Sequence, residues 1–102
     1  GEAVSEVRAL YREGDEVAEV REGDEINLVT AETPFYGESG GQVGDRGVVE
    51  GEDGSLIEII DAQKPMAELT VLLGTVKRGA FRRGQRVRLR IDREWLAAAR
   101  LH

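Results

Sequence analysis

Polar and apolar residues alternate most cleanly at Arg86-Val87-Arg88-Leu89-Arg90-Ile91. Side chains in a strand point to opposite faces in turn. This run therefore predicts a strand with Val87, Leu89 and Ile91 on a core face and three arginines on a wet one. Ile26 and Leu28 repeat the pattern more weakly. Leu56-Ile57 and Ile59-Ile60 do not alternate, which predicts a strand covered on both faces. Short β-rich runs at 4–11, 16–21, 25–31, 47–50, 55–61, 69–77 and 85–91 are separated by small polar turns such as Arg12-Glu13-Gly14-Asp15 and Arg21-Glu22-Gly23-Asp24. Gly and Asp accept turn geometries that β-branched residues resist. Strands at this spacing predict an all-β fold, a small antiparallel β-barrel of about six or seven strands. After Ile91 the period changes. Asp92 is a good helix cap and 93–102 favours helix, with Trp95 expected to pack between helix and barrel. The expected organisation is a barrel over 1–92 and the start of a C-terminal helix over 93–102.

Composition narrows the chemistry. The chain has 102 residues, one domain's worth, and its 40% hydrophobic content can support a core. It has no cysteine, and its single histidine is His102, the last residue. Disulfides, thiol nucleophiles and thiolate zinc sites are excluded, and a histidine-based triad or metal centre within 1–92 is excluded with them. No run approaches a membrane helix and no leader pattern opens the chain, so a cytoplasmic setting is expected. Twelve arginines against two lysines fit a heat-adapted or GC-rich source. The net charge of -6 is unevenly divided. From Lys77 onward nine basic and two acidic residues give +7, against -13 before it. Arg82, Arg83, Arg86, Arg88 and Arg90 are candidates for contact with RNA phosphate or with a neighbouring domain. The alternative is an intramolecular patch that complements the acidic half.

The glycine-rich loop over 33–47 carries the most information. It reads Thr33-Pro34-Phe35-Tyr36-Gly37-Glu38-Ser39-Gly40-Gly41-Gln42-Val43-Gly44-Asp45-Arg46-Gly47 and holds five of the thirteen glycines. It lacks the Gly-Lys-Ser/Thr of a phosphate-cradling loop and the Gly-x-Gly-x-x-Gly of a dinucleotide site. It is either a long strand connection or a loop that offers its backbone and polar side chains to a substrate. Gln42 brings two amide donors and an acceptor. Thr33 brings a hydroxyl, and Gly40 and Gly41 bring close approach. Phe35 and Tyr36 are expected to pack the loop's base. Glu38 and Asp45 have no evident partner for acid–base work.

This fifteen-residue string closely resembles the β-barrel part of alanyl-tRNA synthetases. So do Val76-Lys77-Arg78-Gly79-Ala80-Phe81-Arg82-Arg83-Gly84-Gln85-Arg86-Val87 and Ile91-Asp92-Arg93, which extends the resemblance over nearly the whole chain. In that family the barrel lies between the aminoacylation and tRNA-recognition domains and a zinc-containing editing core. The resemblance implies an enzyme that activates alanine with ATP and Mg and charges tRNA(Ala). Its editing module, which holds Zn, hydrolyses mischarged Ser- and Gly-tRNA(Ala). It also implies that Gln42, with Gly40, Gly41 and Thr33, forms one wall of the editing pocket. Thr33 matches a threonine linked to discrimination of a seryl hydroxyl from a methyl. His102 then precedes the family's His-x-x-x-His zinc motif and is not a ligand. The chain by itself is expected to hold no cofactor or metal and to be catalytically inactive. Two rivals remain: the barrel of a free-standing trans-editing deacylase, and an autonomous tRNA-binding barrel.

Overall fold

The computed structural model describes residues 1–92. Among the described residues there are nine strands: β1 Glu2–Arg12, β2 Asp15–Val17, β3 Glu19–Arg21, β4 Glu25–Thr30, β5 Gly47–Gly51, β6 Leu56–Met66, β7 Leu69–Arg78, β8 Ala80–Arg82 and β9 Arg86–Ile91. Six of them close a ring in the order β1-β4-β7-β6-β5-β9, and β9 pairs back onto β1. All these pairings are antiparallel. Closure leaves the ring without a free edge. β2 adds to β1, and β3 with β8 forms a separate two-stranded sheet.

The alternation at 86–91 has the expected consequence. Val87 and Leu89 are buried, Ile91 is half-buried, and Arg86, Arg88 and Arg90 face out. Ile26 and Leu28 of β4, Val49 of β5 and Leu72 and Val76 of β7 complete the interior. Val20 and Phe81 pair across the small sheet and are fully buried, so that sheet belongs to the same core.

Two irregularities explain where the pattern failed. The β1–β4 register shifts between Val7 and Ala9, which lets both Val7 and Leu10 point inward despite their odd spacing. The β6–β7 register shifts between Ile59 and Asp61. Ile57 and Ile59 are buried while Ile60 is 48% exposed, so β6 is not covered on both faces as its sequence predicts. An extra residue in one strand turns the following side chains to the other face. Here the bulge directs Asp61 out of the interior and Ala62 into it. β6 also continues past its expected end at 61 to Met66.

The run expected as one strand over 16–21 is divided at Ala18, which sends β2 to β1 and β3 to β8. The helix expected from residue 93, the packing of Trp95 and the position of His102 lie outside the described residues. Both ends of the described chain meet the root of the glycine-rich loop. Ile91 N–H donates to the Gly1 carbonyl at 3.0 Å and Asp92 N–H to the Arg46 carbonyl at 2.7 Å.

Candidate functional site

The loop between β4 and β5 is seated on the outer half of β6 by backbone ties from both of its limbs. On the first limb, Glu38 N–H donates to the Ala62 carbonyl at 3.0 Å, and Lys64 N–H returns a bond to the Glu38 carbonyl at 2.8 Å. This makes a parallel bridge between Glu38 and Gln63. On the second limb, Gly44 N–H donates to Asp61 Oδ1 at 2.6 Å. The limbs are also stitched to each other: Tyr36 N–H donates to Asp45 Oδ2 at 2.7 Å, and Asp45 N–H to the Tyr36 carbonyl at 3.1 Å. Asp45 is buried in this role. Its carboxylate is a structural acceptor and is not paired with Glu38 for acid–base chemistry.

Phe35 plugs the loop's base, at 4% exposure, but Tyr36 is 66% exposed. The expectation that both aromatics pack holds only for Phe35. Tyr36 and Val43 instead give the loop an exposed apolar flank.

Gln42, Gly40 and Gly41 form an exposed apex. Gly41 has a φ of +83°, a conformation that costs a residue with a Cβ and that glycine adopts freely. Gly40 is different. A Cβ there would meet nothing within 4 Å, and its φ is not in the left-handed region, so no contact among the described residues requires glycine at that position. Gln42 is tied to the barrel through its backbone carbonyl, which accepts from Gln63 Nε2 at 2.9 Å. That tie leaves its amide group projecting from the exposed apex. Thr33 sits at the other end of the loop, half-buried. Its Oγ1 accepts from Phe35 N–H at 3.0 Å, the local turn that Thr makes with a residue two positions on. Its hydroxyl proton remains available to another acceptor.

The five candidate arginines are brought together with carboxylates. Arg90 lies 2.8 Å from Glu50, Arg88 3.4 Å from Glu2 and Arg86 4.0 Å from Glu52. Arg82 and Arg83 each lie 3.6 Å from a carboxylate, Glu19 and Glu16 respectively. The topology makes this arrangement: β9 runs between β1 and β5, which present Glu2 and Glu50 to its outer face, and the turn after β5 adds Glu52. A groove of about 510 Å³ on this face is lined by both signs of charge, with Glu50, Glu52, Arg86 and Arg88 around Val4.

Exposed ion pairs contribute about 0–1 kcal/mol each, so phosphate can displace one. An RNA backbone on this face must displace several and lie against the freed carboxylates. We expect the 102-residue chain to bind tRNA with a Kd weaker than about 100 µM at physiological salt. Fluorescence anisotropy checks this. A micromolar Kd that weakens steeply with salt would make the arginine face a nucleic-acid surface.

Among the described residues no three His, Cys, Asp or Glu side chains are grouped to hold a metal ion. The barrel residues thus do not fit a zinc centre. No helix of the described residues is long and apolar enough to cross a membrane.

Asp61 and Gln63 hold the candidate loop, and local sequence reading missed both. Asp61 stood at the expected end of a strand, where an acidic residue looks like a turn former. Its partners at Gly44 and Gln63 become visible only once the loop is laid over β6.

Comparison with known proteins places the sequence in a family. The sequence model described as tRNA synthetases class II (A) matches residues 1–95. An alanine–tRNA ligase of Chelativorans sp. is 50% identical over 93 residues, covering 91% of this chain and 10% of the ligase. That of Magnetococcus marinus is 43% identical over 100 residues, covering 98% and 11%. That of Rhizorhabdus wittichii is 44% identical over 91 residues, covering 89% and 10%. The chain spans about a tenth of the length of these relatives. The chain belongs to the class II (A) tRNA synthetases, and within them it matches the alanine–tRNA ligases over about nine tenths of its length.

Proposed function

We propose that this barrel is a non-catalytic domain of an alanine–tRNA ligase and that its glycine-rich loop forms one wall of the site that hydrolyses mischarged Ser- and Gly-tRNA(Ala). The observation that carries the reading is the loop's construction. Both limbs are bonded to β6, while Gln42 is offered on an exposed apex with its side-chain amide uncommitted to the backbone tie that holds it. An amide in that position can donate to an ester carbonyl or accept from a seryl hydroxyl. Gly40 and Gly41 leave room beside it, and Thr33 supplies a second polar group at the loop's root. Binding sites are commonly carried on loops held by a rigid scaffold, and a closed barrel is such a scaffold.

In this reading the unit over 1–92 is followed, from 93, by the helix that leads to the editing core. ATP, Mg and Zn belong to other parts of the ligase, and the barrel works beside them in the cytoplasm. The partners are tRNA(Ala) and the ligase's own editing, aminoacylation and tRNA-recognition domains. The neutralised arginine face favours this role over that of an autonomous tRNA-binding barrel.

Cross-linking tests it. A benzophenone side chain in place of Gln42, in a full-length alanine–tRNA ligase carrying this barrel, should join on irradiation to the terminal adenosine of a non-hydrolysable seryl-tRNA(Ala). Cross-links confined to the body of the tRNA, or to none of it, would contradict the proposal.

A further inference from the structure

Asp61 is half-buried just after the β6 bulge, and both of its oxygens are in use. Oδ1 accepts from Gly44 N–H at 2.6 Å and from Ala62 N–H at 2.8 Å. Oδ2 accepts from Gln63 Nε2 at 2.9 Å. The same Gln63 nitrogen donates to the Gln42 carbonyl at 2.9 Å. The orientation of the Gln63 amide follows from chemistry. Its two neighbours here, a carboxylate oxygen and a carbonyl oxygen, only accept, so the amide nitrogen must face them. A turned amide would set its oxygen against two acceptors.

We propose that Asp61 is a positioning residue. It fixes the direction of the Gln63 amide, and Gln63 in turn fixes Gln42 at the apex of the loop. The proposal rests on the reading of that loop as an editing wall. The relay spans two strand positions and a loop tip some twenty residues away in sequence. It exists because the bulge at Ile60 turns Asp61 toward the loop. The carboxylate also ties the second limb at Gly44, so one group sets both the height of the limb and the orientation of the apex.

The variant that isolates the relay is Asp61→Asn. An asparagine can keep its oxygen on Gly44 and Ala62, but it then turns an NH2 group toward Gln63. Two donors face each other, Gln63 must rotate, and its oxygen meets the Gln42 carbonyl. The limb stays tied while the apex is released. In the 102-residue chain, Asp61→Asn should leave the thermal midpoint within a few degrees. Backbone order parameters at Gly41–Val43 should fall below about 0.6, the range of flexible backbone. In the full-length ligase, hydrolysis of seryl-tRNA(Ala) should fall about threefold to tenfold with alanine charging unchanged. Gln63→Ala should match it, and the double variant should be no worse than either, because residues acting as one unit are not additive. A rigid apex in Asp61→Asn, or an apex that loosens only as the whole barrel melts, would overturn the relay. A mobile apex with unchanged hydrolysis would overturn the editing-wall reading and leave the relay standing.

Discussion

Gly44→Val should destabilise the barrel by about 3 kcal/mol, the upper range for forcing extra atoms into a packed site. Gly44 is buried where the second limb crosses β6. A Cβ built there runs into the Ala62 carbonyl oxygen and lies 2.8 Å from the Tyr36 carbonyl. Both obstacles are backbone, so neither can swing aside as a side chain would. The limb must lift, and lifting it breaks the 2.6 Å bond from Gly44 to Asp61 and strains the stitch between Tyr36 and Asp45. Domains of this size have total stabilities of about 5–15 kcal/mol. The loss corresponds to a fall in thermal midpoint on the order of 15 °C for about 100 residues. Circular dichroism melts measure it. Gly40→Ala is the control. The added methyl meets nothing within 4 Å, and the change should stay within about 0.5 kcal/mol, as for other exposed positions. If the two variants melt together at the wild-type temperature, the loop is not seated on β6 as described.

That contrast also shows how far the sequence could be read. All the glycines of 33–47 look alike in one dimension, and the string marks the loop without ranking them. Their separate duties are set by what lies opposite: the β6 backbone for Gly44, and open space for Gly40. The arginine strand was legible because alternation is a local property, and Arg86-Val87-Arg88-Leu89-Arg90-Ile91 needs no distant partner to declare its faces. Its pairing with Glu2, Glu50 and Glu52 was not legible, since β1 and β5 meet β9 only on closure of the ring. The bulges at Arg8 and Ile60 were hidden for the same reason. A bulge is a mismatch between two strands, and one strand's sequence carries only half of it. Asp61 and Gln63 were therefore the least visible residues of the candidate site, although they hold its apex.

The ion pairs on β9 bear on how the domain works. Under the proposed role, a scaffold that meets tRNA only through its loop gains nothing from a strongly positive wall. The acidic residues on β1 and β5 keep the wall close to neutral, which limits non-specific attraction to nucleic acid. The loop lies where β9 ends, and there the described chain both begins and ends.

Gln42 carries the central claim, and its side chain can be removed without disturbing what holds the loop. The tie from Gln63 is to the Gln42 carbonyl, which alanine keeps. Gln42→Ala should leave the fold intact and delete only the projecting amide. A side chain that hydrogen-bonds substrate within an enclosed site contributes about 1–3 kcal/mol when its loss leaves the partner unsatisfied, which is about tenfold to a hundredfold in rate. The decisive measurement is made on a full-length alanine–tRNA ligase that carries this barrel. It compares kcat/KM for hydrolysis of seryl-tRNA(Ala) with kcat/KM for alanine charging, wild type against Gln42→Ala. The account predicts that hydrolysis falls about tenfold to a hundredfold while charging is unchanged. Unchanged hydrolysis, or an equal loss of both activities, would contradict it.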